Sequence, residues 1–263
     1  MDTPYPLLPL AVKIRDTWRV TRGSPPARDD SPLRRSRGRP RLPLDRIVST
    51  ALEIVDDEGA EALSMRTLAQ RLDSGTATLY RHFANRGEVV SHVVDRVFGE
   101  IEFSTGELAS MGWQRACESF ARATFEVLCR HRNVAPLLVD QLPVGPNALA
   151  HRETLLAVLL DNGFTPRLAA RSYATVARYV LGFVIQLSGR EFDDRHAAEV
   201  FHALDPQLFP ATHAVAEHLP VPIDEEFALG LELIIGGLAN YAAAQSDREP
   251  TSRPPGGRPP RTR

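Results

Sequence analysis

The stretch SMRTLAQRLDSGTATLYRHFANR, residues 64–86, constrains this chain more than any other. Leu68, Ala69 and Leu72 fall three and four apart, giving a short helix one apolar stripe that stops at Leu72. Asp73-Ser74-Gly75 follows. Asp and Gly tolerate positive φ, and Ser or Gly can cap a new helix. The pattern predicts two short helices joined by a tight turn, the second running from Thr76 to Phe83. Ala77, Leu79 and Phe83 are expected to look inward, leaving Thr76, Thr78, Tyr80, Arg81 and His82 outside. A solvated helix face normally carries Glu, Lys and Gln. Hydroxyls, a phenol, a guanidinium and an imidazole within a turn and a half suit base edges and phosphates instead.

The flanks supply a core for this pair. Leu44, Ile47, Val48, Ala51, Leu52 and Val55 step by three and four, an amphipathic helix ended by Gly59. Val90, Val93, Val94, Val97, Phe98 and Ile101 repeat the stepping in a longer connecting helix. Three helices closing on one small core, with the second and third at a steep angle, place a recognition helix in the major groove.

The segment Leu44 to Ile101 resembles the N-terminal DNA-binding domain of the TetR (tetracycline-repressor-like) transcriptional regulators. The resemblance is carried above all by T-L-Y-R-H-F at Thr78 to Phe83, followed by Asn85-Arg86. The turn departs from the family, which usually has Gly where this chain has Asp73 and an apolar residue where it has Ser74. Asp adopts the left-handed conformation at modest cost, so the turn is expected to survive with looser packing. The resemblance implies DNA contacts from Arg66, Thr76, Thr78, Tyr80, Arg81, His82 and Arg86. Arg66 can fork onto guanine O6 and N7, and Thr76 can meet a base edge or a thymine methyl. Thr78, Tyr80, His82 and Arg86 suit phosphates, which fix register. Arg81 stays open between base and backbone. The plain alternatives are an ion pair of Arg66 with an acid such as Asp73, and a packing role for the His82 imidazole.

Charge is unevenly spread. Residues 1–42 hold ten Lys or Arg against four Asp, whereas residues 43–103 carry a balance of −5. The acids cluster on or after the first helix and late in the connecting helix, so few should face phosphate. Within the basic arm, Arg37, Arg39 and Arg41 surround an Arg-Gly-Arg-Pro core that resembles the minor-groove tetrapeptide of AT-hook proteins. A solubilising tail making non-specific phosphate contacts is the alternative.

Beyond STGELASMG, residues 104–112, the chain reads as a second all-helical region with no strand alternation. Helices are expected over Gln114 to Arg130, Val134 to Gln141, Pro146 to Asp161, Pro166 to Arg190, a weaker pair in Arg195 to Leu219, and Asp224 to Gln245. The resemblance implies a ligand pocket in this bundle and a homodimer built from its last two long helices. The residues permit both. Pro166 to Arg190 is more apolar than one buried stripe needs, and Phe227 to Ala244 mixes Gly230, Gly236, Gly237 and several Ala with Leu and Ile. Pocket candidates are Phe120, Phe125, Leu155, Leu159, Tyr173, Arg178, Phe183 and Gln186, fitting a small hydrophobic effector; plain core is the alternative for the Phe and Leu residues.

Catalytic and metal signals are lacking in the sequence: no His or Cys spacing suits a metal, and no phosphate loop or nucleophile elbow is present. No cofactor is expected. Cys117 and Cys129, without a secretory context, read as inert. The apolar patch Leu7 to Val12 is too short for a signal core, and no run reads as a membrane span, so no membrane partner and a cytoplasmic location are expected. The sequence thus predicts an all-α chain: a basic arm (1–42), a helix-turn-helix domain (43–103), a helical ligand-binding and dimerisation domain (104–245) and a Pro/Arg/Gly-rich tail (246–263). The expected function is a TetR-type repressor that binds a palindromic double-stranded DNA operator and is released by a small effector. The rivals are a DNA-architectural protein without effector and an all-α ligand-binding protein or enzyme.

Overall fold

The computed structural model of the chain describes residues 42–102, 110–188 and 194–246. Helix α1, Leu44–Glu58, buries Ile47, Val48, Ala51, Leu52, Ile54 and Val55, so the apolar stripe of the sequence becomes one packed face. A 3₁₀ turn at Ala60–Ala62 leads to α2, Met65–Arg71. Ser64 caps α2, its Oγ accepting from Thr67 N at 3.0 Å.

The turn after α2 is closed by two bonds, Asp73 N to Gln70 O (3.1 Å) and Ser74 N to Ala69 O (2.9 Å). Together they form a Schellman motif with Asp73 in the left-handed position at φ 47°. Asp therefore holds the backbone that the family gives to Gly.

Helix α3 is shorter than expected. Its α-helical turn spans Thr76–Leu79, after which Arg81 N and His82 N bond to carbonyls three residues back, at 3.3 and 2.8 Å. The recognition segment is one α turn tightened into a 3₁₀-like turn, not a helix through Phe83. Leu79 and Phe83 are fully buried. Ala77, expected inside, is exposed. Residues two apart on a helix point about 200° apart, so Ala77 and Leu79 cannot share an inward face.

Helix α4, Arg86–Phe98, is capped reciprocally: Asn85 Oδ1 accepts from Glu88 N at 3.0 Å, and Glu88 Oε2 accepts from Ala84 N at 2.6 Å. Val89, Val90, Val93, Val94 and Val97 complete the core of the head. Ion pairs Asp45–Arg96 and Glu58–Arg71 tie α1 to α4 and α2.

The second region comprises α5 (Trp113–Arg130), a 3₁₀ turn (Arg132–Val134), α6 (Ala135–Asp140), α7 (Pro146–Asp161), α8 (Pro166–Leu187), α9 (Asp194–His202), α10 (Pro210–Ala214), a 3₁₀ turn (Ala216–His218) and α11 (Ile223–Ser246). Helix α8 is central, packing on α5, α6, α7 and α11. It is capped by Thr165, whose Oγ1 accepts from Leu168 N at 3.3 Å. Gly163, at φ 84°, makes the turn before α8, and Phe164 then seats edge-on to Trp113 with ring centroids 4.8 Å apart. One continuous apolar core runs from the head through α5, α7 and α8.

Helix α11 corrects one expectation. Ile223–Gln245 is by length and composition apolar enough to cross a membrane. Its acids Asp224, Glu225 and Glu226 gather in the first turn, leaving Glu232 as the one charge in the rest, and its glycines do not interrupt the hydropathy.

Candidate nucleic-acid interface and regulatory bundle

The outward face around α3 gathers the predicted contacts. Arg66 stands exposed in the first turn of α2, and Thr76 and Arg81 are exposed on the recognition segment. Tyr80 is 56% exposed, a large side chain held in water by a rigid head. Thr78 is half-buried and its Oγ1 accepts from Arg81 Nη2 at 3.3 Å, which orients the guanidinium along the segment. His82 is half-buried and tilted against Phe83, ring centroids 6.3 Å apart. Exposed Ala77 lies on the same surface. The sequence signal for it was the two-residue offset from Leu79.

Arg86 is placed differently. Its Nε donates to Leu63 O at 2.6 Å and its Nη2 to Ala60 O at 2.8 Å, so the guanidinium stitches α4 to the turn before α2 rather than standing free for phosphate. Carbonyls at the end of the 3₁₀ turn accept these charge-assisted bonds, Ala60 O also taking Leu63 N at 3.4 Å. Arg37, Arg39 and Arg41 lie outside the described residues.

The net negative charge of the head is resolved by partners. Asp45 and Glu58 are in ion pairs, Glu88 caps α4, Asp95 caps α7, and Asp56 and Glu100 face His131. Six acids are thereby engaged by the protein itself.

In the bundle, the predicted pocket residues divide. Leu155 and Leu159 are fully buried core, and Phe120 is 3% exposed. Phe125 and Phe183 join Tyr179 around Phe227, with the Phe125 ring stacked on Phe227 at 4.1 Å and Phe183 edge-on at 5.5 Å. This aromatic cluster pins α11 to α5 and α8. Tyr179 OH donates to Phe227 O at 2.8 Å. Burial pushes its phenol above the ordinary value, keeping it a donor. A Cβ at Gly230 would overlap the Tyr179 hydroxyl, so that glycine serves a close approach within the chain.

Tyr173 lies 6.2 Å from Phe120 and carries Arg152 over its ring at 5.5 Å. Arg152 also donates to Tyr173 OH at 3.3 Å and to Pro143 O at 3.2 Å. Arg152 was not among the sequence candidates; nothing in its helical spacing marks it. Arg178 and Gln186 correct the prediction: both project from the exposed face of α8 and are not anchors inside this bundle.

A cleft of about 240 Å³ opens where Trp113, Asn162 to Leu168 and the end of α11 meet, and none of the eight predicted residues lines it. Cys117 and Cys129 are free thiols. Burial pushes Cys117 up to about 12 and also raises Cys129, so neither is poised as a thiolate.

Fold and face together define a class: a helix-turn-helix DNA-binding regulator whose head is fused to a helical regulatory bundle. The chain belongs to the tetR family of bacterial regulatory proteins, whose description matches residues 47–93, while the tetracyclin repressor-like C-terminal domain matches residues 105–241. It is 32% identical to the HTH-type transcriptional repressor DrrR1 of Streptomyces coeruleorubidus over 80% of this chain and 82% of that one. Among solved structures, ActR of Streptomyces coelicolor in complex with (S)-DNPA superposes with a TM-score of 0.67 at 34% identity, covering 76% of this chain and 98% of ActR. The ActR complex with actinorhodin gives 0.66 at 33% identity over the same shares. The protein is therefore a TetR-type transcriptional regulator. Members of the family are in general DNA-binding proteins and not enzymes.

Proposed function

We propose that this protein is a repressor that binds a palindromic operator as a homodimer and is released by a small, largely apolar effector held in the bundle. Residues 43–103 form the reading head and 104–245 the effector and dimer region, flanked by the arm (1–42) and tail (246–263). The observation that carries the reading is the solvent-facing set Arg66, Thr76, Tyr80 and Arg81 on a head whose core is closed beneath it. Arg66 and Thr76 read bases; Thr78, Tyr80 and His82 hold phosphates; Arg81 serves either. Arg86 is a positioning residue, and Arg37, Arg39 and Arg41 add groove or phosphate contacts from the arm.

The outer face of α11 supports the dimer. Leu229 is 59% and Leu233 66% exposed. A Cβ at Gly182, Gly236 or Gly237 would meet nothing within 4 Å among the described residues. A mid-helix glycine costs roughly 1 kcal/mol against alanine, and a second copy of α8 and α11 seated there supplies a reason for the small residues. ActR, which resembles this chain, is known with (S)-DNPA and with actinorhodin. A small, largely apolar effector is accordingly expected to occupy the bundle near Phe120, Leu155, Leu159, Tyr173 and Arg152.

Fluorescence anisotropy with labelled duplexes from the region upstream of its own gene tests the function. A fragment bound at least about a hundredfold tighter than random DNA is expected. Equal affinity for both would reject the repressor reading in favour of an architectural protein.

A further inference from the structure

We propose that His131, the residue that ends α5, is a positioning residue for operator binding: it fixes the reading head on the bundle, and does so only while its ring carries both protons. The ring is 15% exposed and lies between the two long helices of the head. Its Nδ1 is 2.8 Å from Asp56 Oδ2, near the end of α1, and its Nε2 is 3.0 Å from Glu100 Oε2, just beyond α4. A neutral imidazole has one donor and one acceptor. Two carboxylates facing the two nitrogens are both satisfied only by the doubly protonated ring.

The surroundings make that proton matter. Asn133 Nδ2 donates to Asp56 O at 2.8 Å, so the same loop grips α1 twice. Asp56 Oδ1 is buried without a hydrogen-bond partner, which leaves its carboxylate dependent on the one bond to His131. Burial, Asp57 and Glu100 all push the Asp56 carboxyl upward while His131 pulls it down. The charged groups around the ring are Asp56 and Asp57 from α1, Glu100 after α4, Arg130 from α5 at 3.6 Å from Glu100, and Arg132 on the following turn. Once the ring loses a proton, one nitrogen presents a lone pair to a carboxylate, and one of the two helices is released. The head then samples more orientations, and fewer of them fit two half-sites at once.

The inference rests on the DNA-binding reading, so its test has one readout with DNA and one without. Operator anisotropy is measured for the full chain from about pH 5 to about pH 8, the span over which histidine changes charge, at constant ionic strength. Buffer and duplex are the same for every variant, so pH dependence common to them cancels between them. Wild-type affinity is expected to fall about tenfold more across this range than that of His131→Gln, which binds weakly throughout. Glu100→Gln is the decisive variant. Its amide can donate to the neutral ring's free nitrogen, so affinity stays high with the steep component gone. A merely structural histidine would not give that rescue.

Without DNA, hydrogen exchange over residues 52–58 and 95–101, corrected for intrinsic rates, is expected to quicken with pH in wild type. His131→Gln should exchange fast at all pH values and Glu100→Gln slowly at all. Parallel pH profiles in wild type and His131→Gln, or Glu100→Gln behaving as His131→Gln, would overturn the proposal. Exchange that follows this pattern without operator preference would leave the latch standing and remove the operator reading.

Discussion

Asp95 of α4 caps the helix that begins at Pro146: its Oδ1 accepts from Asn147 N at 2.9 Å and from Ala148 N at 3.2 Å. Asn147 answers by donating its Nδ2 to Asp95 O at 2.9 Å. A carboxylate of the head thus occupies the positive end of a helix of the bundle. A Cβ at Gly145 would overlap that carboxylate, which explains the glycine before Pro146.

Removing this cap should cost stability and coupling together. Asp95→Ala is expected to lower unfolding stability by about 1–2 kcal/mol in urea titration. Gly145→Ala should do the same by displacement. The double variant should fall short of additive, because both changes break one contact.

Arg86 and Tyr80 separate folding from binding. Arg86→Ala removes the charge-assisted bonds to the Leu63 and Ala60 carbonyls and should lose about 1–3 kcal/mol of stability. Tyr80→Phe removes a solvent-facing hydroxyl, so its Tm should hold while operator affinity drops. Calorimetry and anisotropy on the same samples check both. A normal Tm in Arg86→Ala would count against the positioning role.

Sequence readout should separate from charge. Arg66→Ala is expected to weaken operator binding by about 1–3 kcal/mol and to relax preference at one base pair per half-site. Deleting residues 1–41 should instead flatten the salt dependence with little change in preference. Anisotropy on singly substituted duplexes, repeated over a salt series, tells them apart.

His151 sets an acid limit on stability. Its Nε2 donates to Phe98 O at 2.8 Å, and burial holds its pKa below the ordinary histidine value despite that bond. The unfolded chain therefore takes up a proton near pH 6.5 that the folded chain refuses until lower pH. The contribution of neutral His151 is complete above about pH 6.5 and is lost as pH falls through the folded value. Urea midpoints should decline on acidification across that window in wild type, and less in His151→Gln.

Two substitutions on α11 should fail in different ways. Gly230→Ala meets the Tyr179 hydroxyl and should lower the Tm of the chain itself. Leu233→Glu alters an exposed side chain and should leave folding intact while shifting sedimentation to monomer.

Local patterns were legible because they depend on neighbours in the chain. The stepping of Ile47, Val48, Ala51 and Val55 predicts the buried face of α1, and Asp73-Ser74-Gly75 predicts the turn that Asp73 closes at φ 47°. Asn85 and Glu88, three apart, carried a capping signal that was there to be used. The exposed set on the recognition segment followed from the same periodicity, with Ala77 misplaced because the helix is one turn long and 77 and 79 oppose each other. Nothing local distinguishes Arg86 as a brace from Arg86 as a phosphate contact. That depends on where the carbonyls of Leu63 and Ala60 come to rest, 23 and 26 residues away.

The sequence by itself determined the helices, their caps and the reading head, since each is decided within a few residues by backbone preference and apolar spacing. Only the tertiary structure decided which side chains join head to bundle. Asp95 with Asn147, His151 with Phe98, and His131 with Asp56 and Glu100 are 31 to 75 residues apart in the chain. Their pairing is set by how α1, α4, α5 and α7 pack, and no periodicity encodes it. The same holds for the bundle interior: whether a Phe lines a cavity or fills a core depends on the volume left between helices. Phe227 fills that volume beside Phe125 and Phe183.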